Sequence, residues 1–229
     1  MLQSLKLGFY DLFSLVFPKL CLGCRTTILL TNNCLCYTCE MDLPPTYFNL
    51  LDETPLEQKM AVKRGIKQSF ALYYFESTGL MEKLLYALKY QGNKEIGHFF
   101  GRKLAAAMVA TKEDYDGIIG VPLHFKRRRK RGFNQVDIIG KTAAKALGIP
   151  YYDTVLVRTK NTPPLSKVNG ERSAILANAF EIKQPLPAGK HYLLLDDIFT
   201  TGATLNACAS ILLEETAISL SIASVAYRN

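Results

Sequence analysis

The spacing of apolar residues divides the chain from residue 69 onward into alternating strands and helices. Short apolar runs predict strands at 69–75, 117–121, 154–158, 177–182, 191–197 and 219–227. Apolar residues three and four apart predict helices at 79–93, 95–111, 133–148 and 202–215. Apolar strands that alternate with amphipathic helices indicate an α/β fold, in which a mostly parallel sheet carries helices on both faces.

The carboxyl ends of parallel strands meet at one edge of such a sheet, where ligands bind. This rule selects the loops that follow Val121, Arg158 and Asp197 as candidate ligand-binding loops. The loop after Arg158 is long, polar and broken by prolines, which is typical of a mobile loop between two strands.

The first sixty residues differ in character from the rest. Residues 41–60 hold three prolines and show no clean period, which predicts a linker and a division into 1–60 and 61–229. The apolar residues near the start of the sequence are spaced so that they share one face of a helix. Asp11 interrupts this apolar stretch, which would otherwise resemble a secretory signal. We therefore expect an amphipathic amino-terminal helix in a cytoplasmic protein without a membrane span; its apolar face is Leu5, Phe9, Leu12, Phe13 and Val16.

Five of the six cysteines lie close together in this first segment. Cys21 and Cys24 form one CxxC pair, and Cys36 and Cys39 form a second. Two such pairs can place four thiolates around one zinc ion, whose binding would stabilise a segment too short for a core of its own. A pair of disulfides and an iron-sulfur cluster are the alternatives, and Cys34 could replace Cys36 as a ligand.

Positive charge is concentrated in one loop. The formal charge is +8, from 28 cations and 20 anions, and residues 126–131 (KRRRKR) contribute six of the cations. A local cluster of this kind favours a polyanionic partner such as pyrophosphate or a nucleic-acid backbone over a diffuse binding face. A solvated basic loop without a ligand is the plain alternative.

The stretch LLLDDIFTTGAT (193–204) joins a buried strand to a helix. Asp196 and Asp197 follow the apolar run, and successive strand residues point to opposite faces. The helix start supplies free backbone amides beside the hydroxyls of its threonines, and Gly202 permits close approach of an anion. A ribose 5-phosphate group fits both parts, because carboxylates can hold its hydroxyls directly or through magnesium. Capping residues of an ordinary helix are the alternative.

This stretch resembles the phosphoribosyl pyrophosphate (PRPP) loop of type I phosphoribosyltransferases. Together with the CxxC pairs, LKYQGN (88–93) and VPLHFKRRRKRGFNQ (121–135), it resembles the ComF/GntX-like family over nearly the whole chain. The resemblance implies a type I phosphoribosyltransferase fold with an amino-terminal zinc module, associated with natural competence or the use of external DNA. Phe199 is bulkier than the aliphatic residue usual there, which should affect packing more than binding.

The resemblance also implies roles for individual residues. Asp196 and Asp197 would be the catalytic residues that act with Mg²⁺ and PRPP. Pyrophosphate would contact Arg127, Arg131 and Gly132, with Asn134 and Gln135 as helix-start donors. The cations that close a flexible loop over PRPP would be Arg158, Lys167 and Arg172. Pro163 and Pro164 depart from the family's Pro-Gln pair. The PRPP phosphate would lie on the residues of the helix start, which are Thr200, Thr201, Gly202, Ala203 and Thr204.

Two functions remain open at this stage. One is a phosphoribosyltransferase that transfers the sugar from PRPP to an acceptor that nothing in the sequence identifies. The other is a non-catalytic module of the same fold that binds single-stranded DNA or a partner protein of DNA uptake. His124 is a further candidate acid, although a histidine beside a basic run is more often a loop residue.

Overall fold

The computed structural model describes residues 18–29, 33–160 and 179–229. The chain divides into two units, Met1–Leu43 and Pro44–Asn229, earlier than the boundary predicted after residue 60. The predicted amino-terminal helix lies outside the described residues, and so do Lys167 and Arg172.

The first unit is built around its cysteines. A backbone bridge between Leu20 and Ile28 closes a turn that contains the first CxxC pair. Helix α1 (Tyr37–Met41) begins directly after Cys36, so the second pair lies at a helix start. The Cys34 carbonyl accepts a hydrogen bond from the Leu22 amide at 2.9 Å, which ties the two halves of the unit together.

The second unit is organised around a five-stranded sheet with the strand order β1-β7-β6-β2-β3. All four pairings are parallel, which confirms the predicted mostly parallel sheet. The strands are β1 (Ile66–Tyr74), β2 (Gly117–Gly120), β3 (Tyr151–Tyr152), β6 (His191–Phe199) and β7 (Ser219–Tyr227). Strands β6 and β7 form the apolar centre of the unit, where Leu193, Leu194 and Leu195 are fully buried.

Helices cover the sheet. They are α2 (Pro55–Lys59), α3 (Leu80–Tyr90), α4 (Lys94–Ala110), α5 (Phe125–Arg131), α6 (Gln135–Leu147) and α7 (Ala203–Glu215). The crossover through α6 leads from β2 outward to β3, whereas the crossover through α7 leads from β6 to β7 in the opposite direction. Because parallel crossovers are right-handed, these two helices cover opposite faces of the sheet.

Two regions differ from the sequence prediction. Most of the predicted linker belongs to the second unit: the Thr46 amide donates to the Leu72 carbonyl of β1, and the Tyr74 amide of β1 donates to the Pro44 carbonyl. A 3₁₀ turn (Phe48–Leu50) and α2 follow. Strands β4 (Leu156–Arg158) and β5 (Phe180–Ile182) pair antiparallel in a separate ribbon instead of joining the main sheet.

Within the described ranges, no helix combines the length and the apolar character that crossing a bilayer requires.

Candidate functional site

A crevice opens between the carboxyl ends of β2 and β6. Their pairing ends at Gly120 and Leu195, where the Val121 amide still donates to the Leu195 carbonyl at 2.9 Å. Strand β6 continues to Phe199 beside β7 alone, so Asp196 and Asp197 lie inside the strand but next to an open edge. The connections of β2 and β6 leave in opposite directions, which makes this crevice the topological switch point where open α/β sheets bind ligands.

Asp197 is held by a network from the face of the sheet that carries α3 and α6. Lys89 Nζ lies 2.6 Å from Asp197 Oδ2, and Gln135 Nε2 donates to the same oxygen at 2.7 Å. Arg131 donates to the Gln135 side-chain oxygen and lies over the Tyr90 ring at 5.1 Å. Burial alone would raise the pKa of Asp197, but Lys89 and Gln135 outweigh it and lower the pKa below its usual value. Asp197 is therefore an ionised, paired carboxylate.

Asp196 faces the other side of the sheet, as the alternation along a strand predicts. Its Oδ1 accepts a hydrogen bond from the Asp197 amide at 2.8 Å, and among the described residues it has no ion pair. Burial, and then the neighbouring Asp197 charge, raise the pKa of Asp196 to about 8, although Lys89 and Arg158 oppose the shift. The pair therefore holds one proton at neutral pH, and that proton belongs to Asp196.

The turn after β6 requires a glycine. Gly202 has φ of 72°, and a Cβ atom built there would lie 2.6 Å from Cζ of the buried Phe199 ring. Phe199 thus acts in packing beneath the turn, in agreement with the expectation from the sequence. Helix α7 starts directly after Gly202 without a side-chain cap, while Thr200 and Thr201 are exposed. The first amides of the helix are consequently available to an anion.

The basic run forms the short helix α5 instead of a loop. His124 caps its start by accepting from the Lys126 amide at 3.3 Å, and Gly132 ends it in the left-handed conformation. Helical spacing turns the six cations in different directions. Arg127 and Arg131, four residues apart on one face, are half-buried, whereas the other four are exposed. His124 is buried and serves the cap, which gives it a structural role.

Asn134 and Gln135 do not offer their side chains to a ligand at the start of α6. Asn134 Nδ2 donates to the Val121 carbonyl at 3.1 Å and to Asp137 Oδ1 at 3.0 Å. Both residues are buried, and Gln135 is engaged with Asp197 as described. These side chains fix the start of α6 against the ends of β2 and β6, so a role of the two residues as helix-start donors to an anion, which stays a prediction, would rest on their backbone amides.

Arg158 reaches the site from the ribbon and not from the edge of the main sheet. Burial and the neighbouring Arg127 lower the pKa of Arg158, while Asp196 and Cys208 act in the opposite direction. The guanidinium lies 5.4 Å from the Phe180 ring centre. Arg158, with Arg127 close to it, thus adds positive charge on the Asp196 side. Cys208, which also lies near Arg158, is fully buried, as expected for an apolar role.

The first unit holds a candidate metal centre. The Sγ atoms of Cys21, Cys24, Cys36 and Cys39 all lie within 4.8 Å of one another, and Cys34 is buried outside this group. Four sulfurs around one tetrahedral zinc would be about 3.8 Å apart for Zn–S bonds of about 2.3 Å. The Cys36 and Gly23 amides donate to Cys21 Sγ at 3.2 and 3.4 Å.

The charges of this cluster also fit a cation. Hydrogen bonds from Thr26 and Thr27 lower the pKa of Cys24 to about 5, whereas burial and the neighbouring thiols raise the pKa of Cys39 to about 12. Four thiolates repel one another at this distance unless a cation lies between them. The four cysteines could therefore hold one metal ion.

Two residues of the site were not predicted. Lys89 and Tyr90 lie in LKYQGN (88–93), a stretch that only the family resemblance distinguishes from an ordinary helix end. The apolar period of α3 places Leu84, Leu85 and Leu88 in the core, and Lys89 follows at the border of that face. A polar residue at the end of a helix that precedes a ligand loop was the available signal, but it does not reveal the partner.

Proteins of similar sequence carry names that refer to DNA utilization or to competence. The chain is 26% identical over 226 residues to the DNA utilization protein YhgH of Salmonella typhimurium, covering 91% of this chain and 96% of that protein. It is 26% identical over 217 residues to Competence protein F of Haemophilus influenzae, which covers 84% of this chain and 90% of that protein. It is also 26% identical over 200 residues to Competence protein ComFC of Bacillus subtilis, covering 86% and 79%.

Solved structures give weaker similarity. An adenine phosphoribosyltransferase aligns with a TM-score of 0.40 at 21% identity, covering 62% of this chain and 74% of its own. The UMP synthase of Leishmania donovani aligns with a TM-score of 0.38 at 15% identity, covering 65% and 24%. No family model matches the chain.

Proposed function

We propose that this chain is a ComF-like protein whose second unit is a phosphoribosyltransferase-type domain that binds PRPP with Mg²⁺. The observation that carries the proposal is the placement of Asp196 and Asp197 at the switch point between β2 and β6, directly before the uncapped start of α7. The uncapped helix start could hold an anion close to the carboxylate pair, and a sugar phosphate needs both kinds of group.

Each part of PRPP has a matching group. The first amides of α7, with Thr200, Thr201 and Thr204, would hold the 5-phosphate, because helix starts favour anions. The carboxylates would accept hydrogen bonds from the ribose hydroxyls. Carboxylate oxygens are also the ligands that Mg²⁺ prefers, and the ion would compensate the charge of Asp196, whose pKa burial and the Asp197 charge raise. Magnesium, when bound, would supply charge compensation for the pyrophosphate.

Pyrophosphate would leave toward the half-buried face of α5. Arg127 and Arg131 point to this side of the helix, and Arg158 lies close to Arg127. Preorganised cations stabilise the charge that develops on a leaving group, and closure around the sugar excludes water. Catalysis would then consist mainly of positioning, with Asp196 as a candidate for proton transfer at the acceptor.

The first unit would carry a structural zinc ion on its four cysteines, and the protein would act in the cytoplasm. Its relatives, named for DNA utilization and for competence, support a role in the uptake or the use of DNA. Zinc is favoured over an iron-sulfur cluster because two CxxC pairs at a turn and a helix start are typical of structural zinc sites.

Calorimetry with PRPP and Mg²⁺ tests the ligand proposal. We expect binding by the wild-type protein and loss of at least tenfold in affinity in the double variant Asp196→Asn/Asp197→Asn. Glu214→Gln/Glu215→Gln is the matched control, because it neutralises two adjacent exposed acids at the other end of α7. Absence of binding by the wild-type protein would refute the proposal, and equal binding by the double variant would remove the acids from the site.

A binding role without turnover is the second candidate, and the four exposed cations of α5 favour it because they could contact a nucleic-acid backbone. Release of pyrophosphate from PRPP, measured with a set of nucleobases as acceptors, separates the two functions. Binding of PRPP without release under any of these conditions would support the accessory role.

A further inference from the structure

A second basic surface lies between α4 and α6. It forms a groove of about 590 Å³ whose rims carry cations from three helices. The cations are Lys94 and Arg102 of α4, Arg128 of α5, and Lys141 and Lys145 of α6, with His98 between the first two. The acid pair Asp196 and Asp197 does not line this groove.

The shape of the groove follows from the close packing of α4 on α6. A Cβ atom at Gly97 would lie 2.6 Å from Cγ2 of Ile138, and one at Gly101 would lie 2.5 Å from Cβ of Thr142. Glycines thus let the two helices approach closely along the floor of the groove. The longer side chains on either side of the contact line form two rims, and His98 Nδ1 contacts Thr142 Oγ1 at 2.9 Å across the floor.

The charges on the rims are poorly balanced by acids. Of the described residues that line the groove, Asp137 is the one carboxylate, and it accepts a hydrogen bond from Tyr151 at 2.9 Å and lies 3.9 Å from Arg128. Asp153 pairs with Lys141 at 2.7 Å. Lys94, Arg102 and Lys145 are exposed and have no carboxylate partner in the part of the chain that the structure describes.

Such an arrangement is unfavourable without a ligand, because like charges repel across a shared groove. The rim of α4 from Lys94 to Arg102 spans about 12 Å at about 1.5 Å per residue. This length exceeds what one phosphate needs and suits a chain of phosphates. Phe133 and Ile138, both partly exposed within the groove, add apolar surface against which an unpaired base can pack.

We propose that the groove between α4 and α6 binds single-stranded nucleic acid through its phosphate backbone, at a site separate from the PRPP crevice. A single strand can lie within the groove with its bases against the apolar floor, whereas a duplex presents only its outer backbone. The short helix α5 then contributes to two sites: Arg131 contacts Gln135, the partner of Asp197, and Arg128 lines the groove.

The test is fluorescence anisotropy with a labelled oligothymidylate over a series of salt concentrations. The groove variant is Lys94→Gln/Arg102→Gln/Lys145→Gln. Each phosphate contact on a single strand contributes about 0.7 to the slope of log K against log salt, so the loss of three contacts should reduce that slope by about 2. We also expect affinity at low salt to fall by at least tenfold.

Two further variants make the result specific. Arg64→Gln/Lys67→Gln/Lys183→Gln removes three exposed cations outside the groove and should leave the slope unchanged. Lys94→Arg/Arg102→Lys/Lys145→Arg keeps the charge and should bind like the wild-type protein. Unchanged slope and affinity in the groove variant, equal losses in the control, or absence of oligonucleotide binding by the wild-type protein would each overturn the proposal.

The outcome is independent of the PRPP site. The double variant Asp196→Asn/Asp197→Asn should bind oligothymidylate normally, and the groove variant should bind PRPP as the wild-type protein does. Duplex DNA and inorganic polyphosphate serve as competitors. Competition by either at concentrations equal to the oligonucleotide's would contradict recognition of a single strand.

Discussion

The proton on Asp196 should make the stability of the protein depend on pH in a way that one substitution removes. In the folded protein, burial and the Asp197 charge raise the pKa of Asp196 to about 8, whereas the unfolded chain has the ordinary value of 3.8. Between these values the folded state binds a proton that the unfolded state has lost. The free energy of unfolding therefore falls as pH rises through this window.

The magnitude follows from the linkage relation. A group that is protonated when folded and ionised when unfolded contributes a slope of about −1.4 kcal/mol per pH unit. Asp196→Asn removes this group and keeps its shape. From pH 5.5 to 7.5, the free energy of unfolding of the wild-type protein should therefore fall by about 2–3 kcal/mol relative to that of the variant.

Urea unfolding at several pH values, without added magnesium, measures this difference. The chain has no tryptophan, so far-ultraviolet circular dichroism is the suitable signal. Other titrating groups, such as His191, are common to both proteins and cancel. A difference that stays constant within about 0.5 kcal/mol, the usual error of additivity, would refute the assignment of the proton to Asp196.

Asp197→Asn is the informative companion variant. The pKa of Asp197 in the wild-type protein is lowered in the folded state, so its carboxylate adds to the free energy of unfolding at every pH above the unfolded pKa. That contribution is lost only at lower pH, outside the range from pH 5.5 to 7.5. The variant should lose stability at every pH because Lys89 loses its partner. It should also show a shallower slope than the wild-type protein, because the charge that helps to raise the pKa of Asp196 is gone.

Two further predictions concern the turn and the metal. Gly202→Ala should lower the free energy of unfolding by about 1–2 kcal/mol because Gly202 has a left-handed φ, and it should also weaken PRPP binding because the new Cβ contacts Phe199. Gly148→Ala is the control: Gly148 has φ of 68° and no atom within 4 Å of an added Cβ, so only the free energy of unfolding should fall. Equal PRPP affinity of the two variants, measured by calorimetry, would contradict the role of the turn. Metal analysis should find about one zinc per chain and none in Cys21→Ser/Cys36→Ser, with Cys34→Ser as the control that keeps it; metal retained by the double variant would disprove the assignment.

Local periodicity sufficed for most of the fold. Strands β1, β2, β6 and β7 and helices α3, α4, α6 and α7 were predicted because each has an apolar face or run that is visible without knowledge of its partners. The helix α5 was missed because it has no apolar face. Its ends are fixed by the His124 cap and by Gly132, and six adjacent cations hide that signal.

The site was predictable only in part, because sequence spacing reports on neighbours along the chain and not across it. The carboxylates and Gly202 could be identified from one continuous stretch. The pairing of Lys89 with Asp197, and the use of Gln135 as its second partner, depend on the approach of α3 and α6 to β6. The ribbon position of Arg158 likewise depends on strands that leave the main sheet.

The contacts of the two acids assign them different tasks, which the sequence could not do. Asp197 already has a cation at 2.6 Å and a hydrogen-bond donor at 2.7 Å, so a ligand that took its charge would have to displace Lys89 or share it. Among the described residues Asp196 has no ion pair and accepts a hydrogen bond from the Asp197 amide, and its raised pKa lets it keep a proton. A cation that arrived in the crevice would therefore gain most at Asp196, because it could replace that proton, which would leave to solvent. In the proposed complex, Asp196 would therefore make the stronger contact with the ligand, while Asp197 would also keep the strand end and α6 in place through Lys89 and Gln135.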